Sequence, residues 1–433
     1  MHPHPTPRFT SFPATVPGLR TPLKAAALAL SLSASVLSTH AVTQYTFNGT
    51  IDSNWATAGN WSSNSVAPTN GTFSARRINI NGAALIYSAT QGTTQYDNTV
   101  ADRAFVITSG SLTFTGGSFT SNNTFATVTE DILGNAASAV STLTVNGGSY
   151  TTKDLVMNFS GGSATTTLNV QSGSATITNL KVQALTSGNT TVNLDGGTLA
   201  VTTLTATGAG TKTFNFNGGT LRTNGSLTLS GFNNAFIKSG GAVINTNGFD
   251  STVSQALLTD AVSTGGGLTK SGSGTLTLTG DNTYTGATQV DAGTLALGAA
   301  NRIANASNLV MAGGTFATGG FSETLGTLGL TASSIIDLGA GASSLVFSDS
   351  SGVAWGGSIS LSFVNFTNGS DSVRIGTSAS GLTELQLAQI TINGQAATID
   401  GNGFLGIAAI PEPSTYAMAA GLGALVLLSL IHI

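Results

Sequence analysis

Paired glycines recurring at a near-constant interval constrain this chain more than any other feature. Gly-Gly pairs in this series begin at 147, 196, 218 and 240, and Ser172-Gly173 divides the longer first interval nearly in half. Ahead of four of these turns the same short pattern repeats: Leu143-Thr-Val145, Leu168-Asn-Val170, Val192-Asn-Leu194 and Phe214-Asn-Phe216. Alternation with period two turns each apolar pair to one face of a strand and sends Thr144, Asn169, Asn193 and Asn215 to the other. The glycines that follow supply the positive φ of a tight turn. A repeat of about 20–25 residues matches one turn of a solenoid; it is too long for a one-strand meander and too short for a propeller blade. The spacing therefore predicts an all-β chain wound as a parallel β-helix, right-handed by analogy with β crossovers, with about 14 coils at about 22 residues each. An antiparallel sandwich or jelly roll is the competing architecture, and it does not account for the register.

Composition agrees with a sheet whose outside is neutral. Only 7% of the 433 residues are charged, against about 25% in ordinary soluble domains. Helix bundles need more Lys, Glu and Arg on their exposed faces. A mean hydropathy of +0.24 argues against disorder. The absence of cysteine excludes disulfides, thiolate metal sites and a cysteine nucleophile. A pI near 5.4 without basic clusters makes nucleic acid an unsuitable partner.

The two ends are apolar in different ways. Arg8, Arg20 and Lys24 precede an uncharged run at 25–37, followed by Thr39-His40-Ala41. That order predicts a secretory signal peptide over 1–41, cut after Ala41; a short buried helix is the alternative. At the other end, Pro411-Glu412-Pro413 precedes a stretch, 414–433, without Asp, Glu, Lys or Arg. Its length suits one membrane-crossing apolar helix, and the prolines separate it from the exported part; a last core element is the alternative. Residues 42–75, with Trp55 and Trp61, are expected to cap one end of the solenoid. Residues 351–409, with Trp355, Phe363, Phe366 and a short helix within 382–390, are expected to cap the other, leaving 76–350 as the β-helix. Capping protects the open sheet edge from pairing with other chains. A carbohydrate-stacking platform is the other reading of Trp55 and Trp61.

Catalytic chemistry has few candidates. After Ala41 the one remaining histidine is His432, so a Ser-His-Asp triad or a histidine metal site lacks its imidazoles. No catalytic, cofactor-binding or metal-ligating residue is expected. The acids Asp97, Asp102, Glu130, Asp131, Asp154, Asp195, Asp250 and Asp260 are scattered, although coiling brings distant acids together. Glu130 and Asp131 are adjacent and should point to opposite faces of a strand. Asp102 and Arg103 suggest a surface ion pair of small energetic weight.

Two resemblances add to this. The segment Pro411-Glu412-Pro413-Ser-Thr-Tyr-Ala417, with its Gly/Ala/Leu continuation, resembles the PEP-CTERM sorting signal of bacteria that make exopolysaccharide. Such signals normally finish in arginines, whereas this chain finishes Ser429-Leu-Ile-His-Ile433. Residues 266–298, with Leu268-Thr-Lys-Ser-Gly-Ser-Gly-Thr-Leu276, Leu278-Thr-Gly-Asp-Asn-Thr-Tyr284, Thr285-Gly-Ala-Thr288 and Gly293-Thr-Leu295, are similar to the autotransporter-associated β-strand repeat. Together these resemblances imply a non-enzymatic structural or adhesive protein of the cell surface or extracellular matrix. They imply export by the Sec machinery, transient inner-membrane anchoring through the C-terminal helix, processing at Pro411-Glu412-Pro413 by an exosortase-type enzyme, and association with extracellular polysaccharide. A carbohydrate-active β-helix enzyme and a self-assembling surface-layer or filament component are the alternatives.

Overall fold

The computed structural model describes residues 43–408, except 48, 50–52, 63–66, 68, 75, 98–103, 123–129 and 161. The expected leader with Ala41 and the expected sorting segment with Pro411, Glu412 and Pro413 lie outside the described residues. Among the described residues no helix is long and apolar enough to cross a membrane.

Alternating apolar residues form strands that pair parallel with the strand one coil away. Val140–Met157 lies between Gly110–Phe114 and Thr165–Gln183, with Leu112, Leu143 and Leu168 in one column. Coil length is set by this register. Ser149 lies opposite Ser174, Ser174 opposite Thr198, and Thr198 opposite Thr220. Leu268 lies opposite Thr288 in the same way. These coils keep to the roughly 20–25 residues of a short solenoid repeat, whereas the coil from Ser118 to Ser149 is longer. The chain is thus an all-β parallel solenoid of about 12 turns, fewer than a uniform short coil predicts.

The expected inward and outward faces are those observed. Leu143, Val145, Leu168, Val170, Val192, Leu194, Phe214 and Phe216 are all fully buried. Each coil sets its aliphatic side chains on those of the coil beneath, which makes one continuous core. Outside, the Asn193 amide donates to Asn169 Oδ1 at 2.8 Å and the Asn215 amide to Asn193 Oδ1 at 2.7 Å. The Asn169 amide continues the ladder to Thr144 Oγ1 at 3.2 Å.

The glycines act in two ways, of which the sequence pattern predicts one. Gly147, Gly148, Gly173 and Gly218 have positive φ, as a tight turn requires. Gly197 does not; there a Cβ would lie 2.9 Å from the Gly173 carbonyl oxygen and 2.8 Å from a Val170 methyl. Its role is close approach between coils. Nor do the strands always stop at these turns. Val140–Met157 and Thr165–Gln183 run through the glycine corner, with register shifts around Asn146.

Parallel stacking also continues past residue 350. Leu361–Val364 pairs with Ser334–Asp337, and Ile390–Ile392 pairs with Leu361–Val364. The coil from Leu361 to its partner Ile390 is again a long one. Its extra length holds the one α-helical turn among the described residues, Glu384–Leu387, closed by a Thr383–Gln386 capping box. The strands Gln395–Ile399 and Leu405–Ile407 then pair antiparallel, ending the parallel winding.

Two substitutions separate core filling from coil approach. Leu168→Ala empties a fully buried column and is expected to cost about 2–5 kcal/mol in denaturant unfolding. Gly286→Ala would place a Cβ 2.4 Å from the Gly266 carbonyl carbon and the Gly267 nitrogen, whereas a Cβ at Gly401 meets nothing within 4 Å. The first should lower the unfolding midpoint markedly and Gly401→Ala should leave it unchanged; equal effects would refute the close-approach role.

Candidate functional site

Several of the charged residues buried in the solenoid are found where its alternation carries a polar group inward. In Glu130–Leu133 the phase that buries Leu133 also buries Asp131, whose column continues as Leu155, Leu180 and Leu204. Asp131 is fully buried. Its Oδ1 accepts from Ser121 Oγ at 2.9 Å and from the Phe105 amide at 3.2 Å, and its Oδ2 from the Tyr150 hydroxyl at 2.9 Å. Burial pushes this carboxyl up to about 6, although the donated hydrogen bonds oppose that shift. Tyr150 stacks on Phe114 at 5.5 Å, so the carboxyl group lies within an aromatic wall.

Glu323 repeats this arrangement. It precedes Leu325 by two residues, shares its inward phase, and stands in a column with Leu345 and Val373. Its Oε2 accepts from the Arg302 amide at 2.7 Å and the Ile303 amide at 3.3 Å, while Oε1 has no partner. Burial raises it to about 7.

The buried bases serve the corners. Lys270 occupies the column of Ile244, Val290 and Met311 and is fully buried. Its ammonium donates to the carbonyls of Ser271, Gly272 and Ala292 at 3.0, 2.6 and 2.9 Å. Desolvation lowers it to about 8. Lys212 caps the carbonyls of Gly208 and Gly210, each at 2.7 Å. These lysines satisfy turn carbonyls that face the interior.

The acids singled out from the sequence mostly go to structural partners. Register places Glu130 beside Asp154, with Asp131 on the opposite face as expected. Glu130 pairs with Lys181 at 3.3 Å and Asp154 accepts from the Asn179 amide at 2.7 Å. Asp195 accepts from Asn217, Asp250 from the Thr275 amide, and Asp260 from the amides of Val262 and Ser263. Asp102, Arg103 and the Asp97 side chain lie outside the described residues. No group of three or more His, Asp or Glu among the described residues is placed to hold a metal ion.

Trp55 and Trp61 do not form a sugar platform. Both are 1% exposed, their rings meet edge to face at 5.3 Å, and their indole N–H groups donate to the carbonyls of Ala67 and Trp55. Flat apolar rings at the first coils gain more from burial than from solvent exposure.

In the sequence Asp131 stands out only as an acid beside Glu130, and Glu323, Lys212 and Lys270 do not stand out as buried charges. A usable signal is present, because each stands two residues from, or in register with, an inward apolar position.

Comparison with known proteins identifies one segment. The family model of the passenger-associated transport repeat matches residues 268–297. No curated protein matches the chain, and no solved structure does. The matched segment spans four strands, Leu268–Ser271, Thr275–Leu278, Thr288–Val290 and Thr294–Leu297. Its pattern has a physical basis here. Leu268, Leu276, Leu278, Tyr284, Val290 and Leu295 fill the core, and Lys270 caps the corner. Gly293 has positive φ and lies against the Gly272 and Gly274 carbonyls of the preceding coil. The repeat and the solenoid together fit an autotransporter-type passenger repeat, which suggests an exported or surface protein.

The buried carboxyls predict an unusual pH dependence. A folded-state value raised above the unfolded one means that the native chain binds more protons between the two. Stability should therefore fall as pH rises from about 4, the unfolded carboxyl value, through about 6 for Asp131 and about 7 for Glu323. In urea unfolding followed from acidic to neutral pH, Asp131→Asn should make the fall shallower between about 4 and 6, and Glu323→Gln should make it shallower over that range and abolish it between about 6 and 7. Identical slopes in wild type and both variants would rule out this account.

Proposed function

We propose that this chain is a non-enzymatic, exported structural or adhesive protein of the cell surface or extracellular matrix, built on a right-handed solenoid. The observation that carries this reading is the passenger-type repeat at 268–297 lying in register within the coil stack. In this reading the leader is removed after Ala41 following Sec-dependent export. Residues 414–433 hold the chain transiently in the inner membrane, and an exosortase-type enzyme releases it at Pro411-Glu412-Pro413. Residues 42–75 cover one end of the solenoid, and residues 351–409 continue the winding through Ile390–Ile392 and close the other end with antiparallel strands. Final placement is the envelope, the cell surface or the extracellular matrix.

Two features of the solenoid support a structural role. Its buried charges serve the core and the corners, as Asp131 and Lys270 do. Its outer ladder presents Thr144, Asn169 and Asn193, neutral hydrogen-bonding groups at the spacing of the coils, about 4.8 Å. A neutral polar face of this kind suits extracellular polysaccharide as a partner better than nucleic acid.

Mass spectrometry of the chain recovered from the producing cell tests the sorting reading. The expected product begins at residue 42 and ends near residues 411–413, and replacing all three residues of Pro411-Glu412-Pro413 by alanine should leave the tail attached and the protein in the membrane fraction. A cytoplasmic, full-length product would overturn the proposal.

A further inference from the structure

We propose that the groove over the three-stranded face near the C-terminal end of the solenoid binds a uronic acid residue of an acidic polysaccharide. This rests on the surface-protein reading above and names the ligand class for one site. The face consists of Glu323–Leu325, Ser344–Phe347 and Ser372–Ile375, paired parallel. Leu325, Phe347 and Ile375 turn inward and are buried. Alternation therefore turns Thr324, Val346 and Arg374 outward, one above another in register. They line a groove of about 390 Å³ together with Ser348, Asp349 and Thr377. That is enough room for a small ligand.

Arg374 is the unusual member. The other arginines with described side chains donate to protein oxygens: Arg77 to Asn79, Arg222 to Asn247 and Arg302 to the Thr279 and Ala300 carbonyls. Among the described residues the Arg374 guanidinium has no hydrogen-bond or ion-pair partner, and it lies over the Phe404 ring, 6.0 Å from its centroid. Arg374 is partly buried, and a guanidinium placed over an aromatic face keeps its donor fork free for an incoming anion.

Asp349 shares the groove and forms no ion pair with Arg374 among the described residues. Its Oδ1 accepts from the Ser351 amide at 3.0 Å and the Ser351 hydroxyl at 2.7 Å, which hold the carboxyl below its ordinary range. Asp349 is therefore ionised, oriented and available as an acceptor. Gly376 forms the floor between them. Its φ is +69°, and a Cβ there would lie 3.5 Å from Asp349 Cα and 3.0 Å from Gly381 Cα.

An unpaired guanidinium, a separate carboxylate and three hydroxyls specify a ligand with complementary groups. A uronate supplies a carboxylate for the Arg374 fork and ring hydroxyls that donate to Asp349 or exchange hydrogen bonds with Thr324, Ser348 and Thr377. Its C–H face suits the Val346 side chain. A neutral sugar leaves the guanidinium without a counterion. Inorganic phosphate brings a larger negative charge toward Asp349 and has no C–H face for Val346.

Titration calorimetry on the purified full-length chain tests this, with trigalacturonate as the probe and maltotriose and inorganic phosphate as controls. Trigalacturonate should bind, more weakly as salt increases, and neither control should compete. Arg374→Ala should weaken binding about tenfold or more, the loss of a charge-assisted pair, with Arg374→Lys intermediate. Asp349→Asn should weaken it at an unchanged unfolding midpoint, because that side chain is exposed. Undiminished binding by both Arg374→Ala and Asp349→Asn, equal binding of phosphate, or no binding by wild type overturns the site. If the cell's own polysaccharide still retains Arg374→Ala, the site fails while the surface reading stands; a chain found in the cytoplasm defeats the surface reading whatever the titration shows.

Discussion

Parallel hydrogen bonding between one coil and the next governs this structure. Each strand takes its backbone partners from the neighbouring turn of the same chain, so side chains of equivalent phase must stack in columns. A column becomes either a continuous aliphatic core, as for Leu112, Leu143 and Leu168, or a continuous outer ladder, as for Asn169, Asn193 and Asn215. The register leaves little freedom for mixed columns. A one-residue slip would exchange the two faces over a whole coil.

Because the columns are strict, their exceptions are informative. Asp131, Lys270 and Glu323 each interrupt an aliphatic column with a charge, and each is met by hydrogen bonds. Breaking one partner of such a buried group is costly, whereas its net contribution to stability is small. These groups also tie segments distant in sequence, since Asp131 is bound by Phe105, Ser121 and Tyr150 together. Such ties favour a single register over neighbouring alternatives. On the outside, the Arg374 groove is the corresponding exception, a charged cluster on a mostly neutral surface.

Much of this is legible in the sequence. The Gly-Gly interval predicted a parallel solenoid and the flanking triplets predicted which side chains face in. The resemblance at 266–298 agrees with the family match at 268–297. Coil count was less legible, because the long coils between Ser118 and Ser149 and between Leu361 and Ile390 do not keep the short glycine interval. Trp55 and Trp61 were ambiguous for a different reason. An aromatic ring serves equally well as a sugar platform or as packing, and only burial distinguishes them.

The sequence by itself determined the winding and the two faces, since period-two alternation and glycine spacing are local properties that most coils repeat. Tertiary structure decided which distant residues became neighbours. That Lys270 would reach the carbonyl of Ala292, that Asp154 would stand beside Glu130, and that Arg374 would share a groove with Asp349 depend on the length of each intervening coil. Those lengths differ widely, from the short coil between Leu309 and Leu328 to the long one between Ser118 and Ser149. No local pattern encodes that variation, because a turn accepts inserted residues at little cost to the strands it joins.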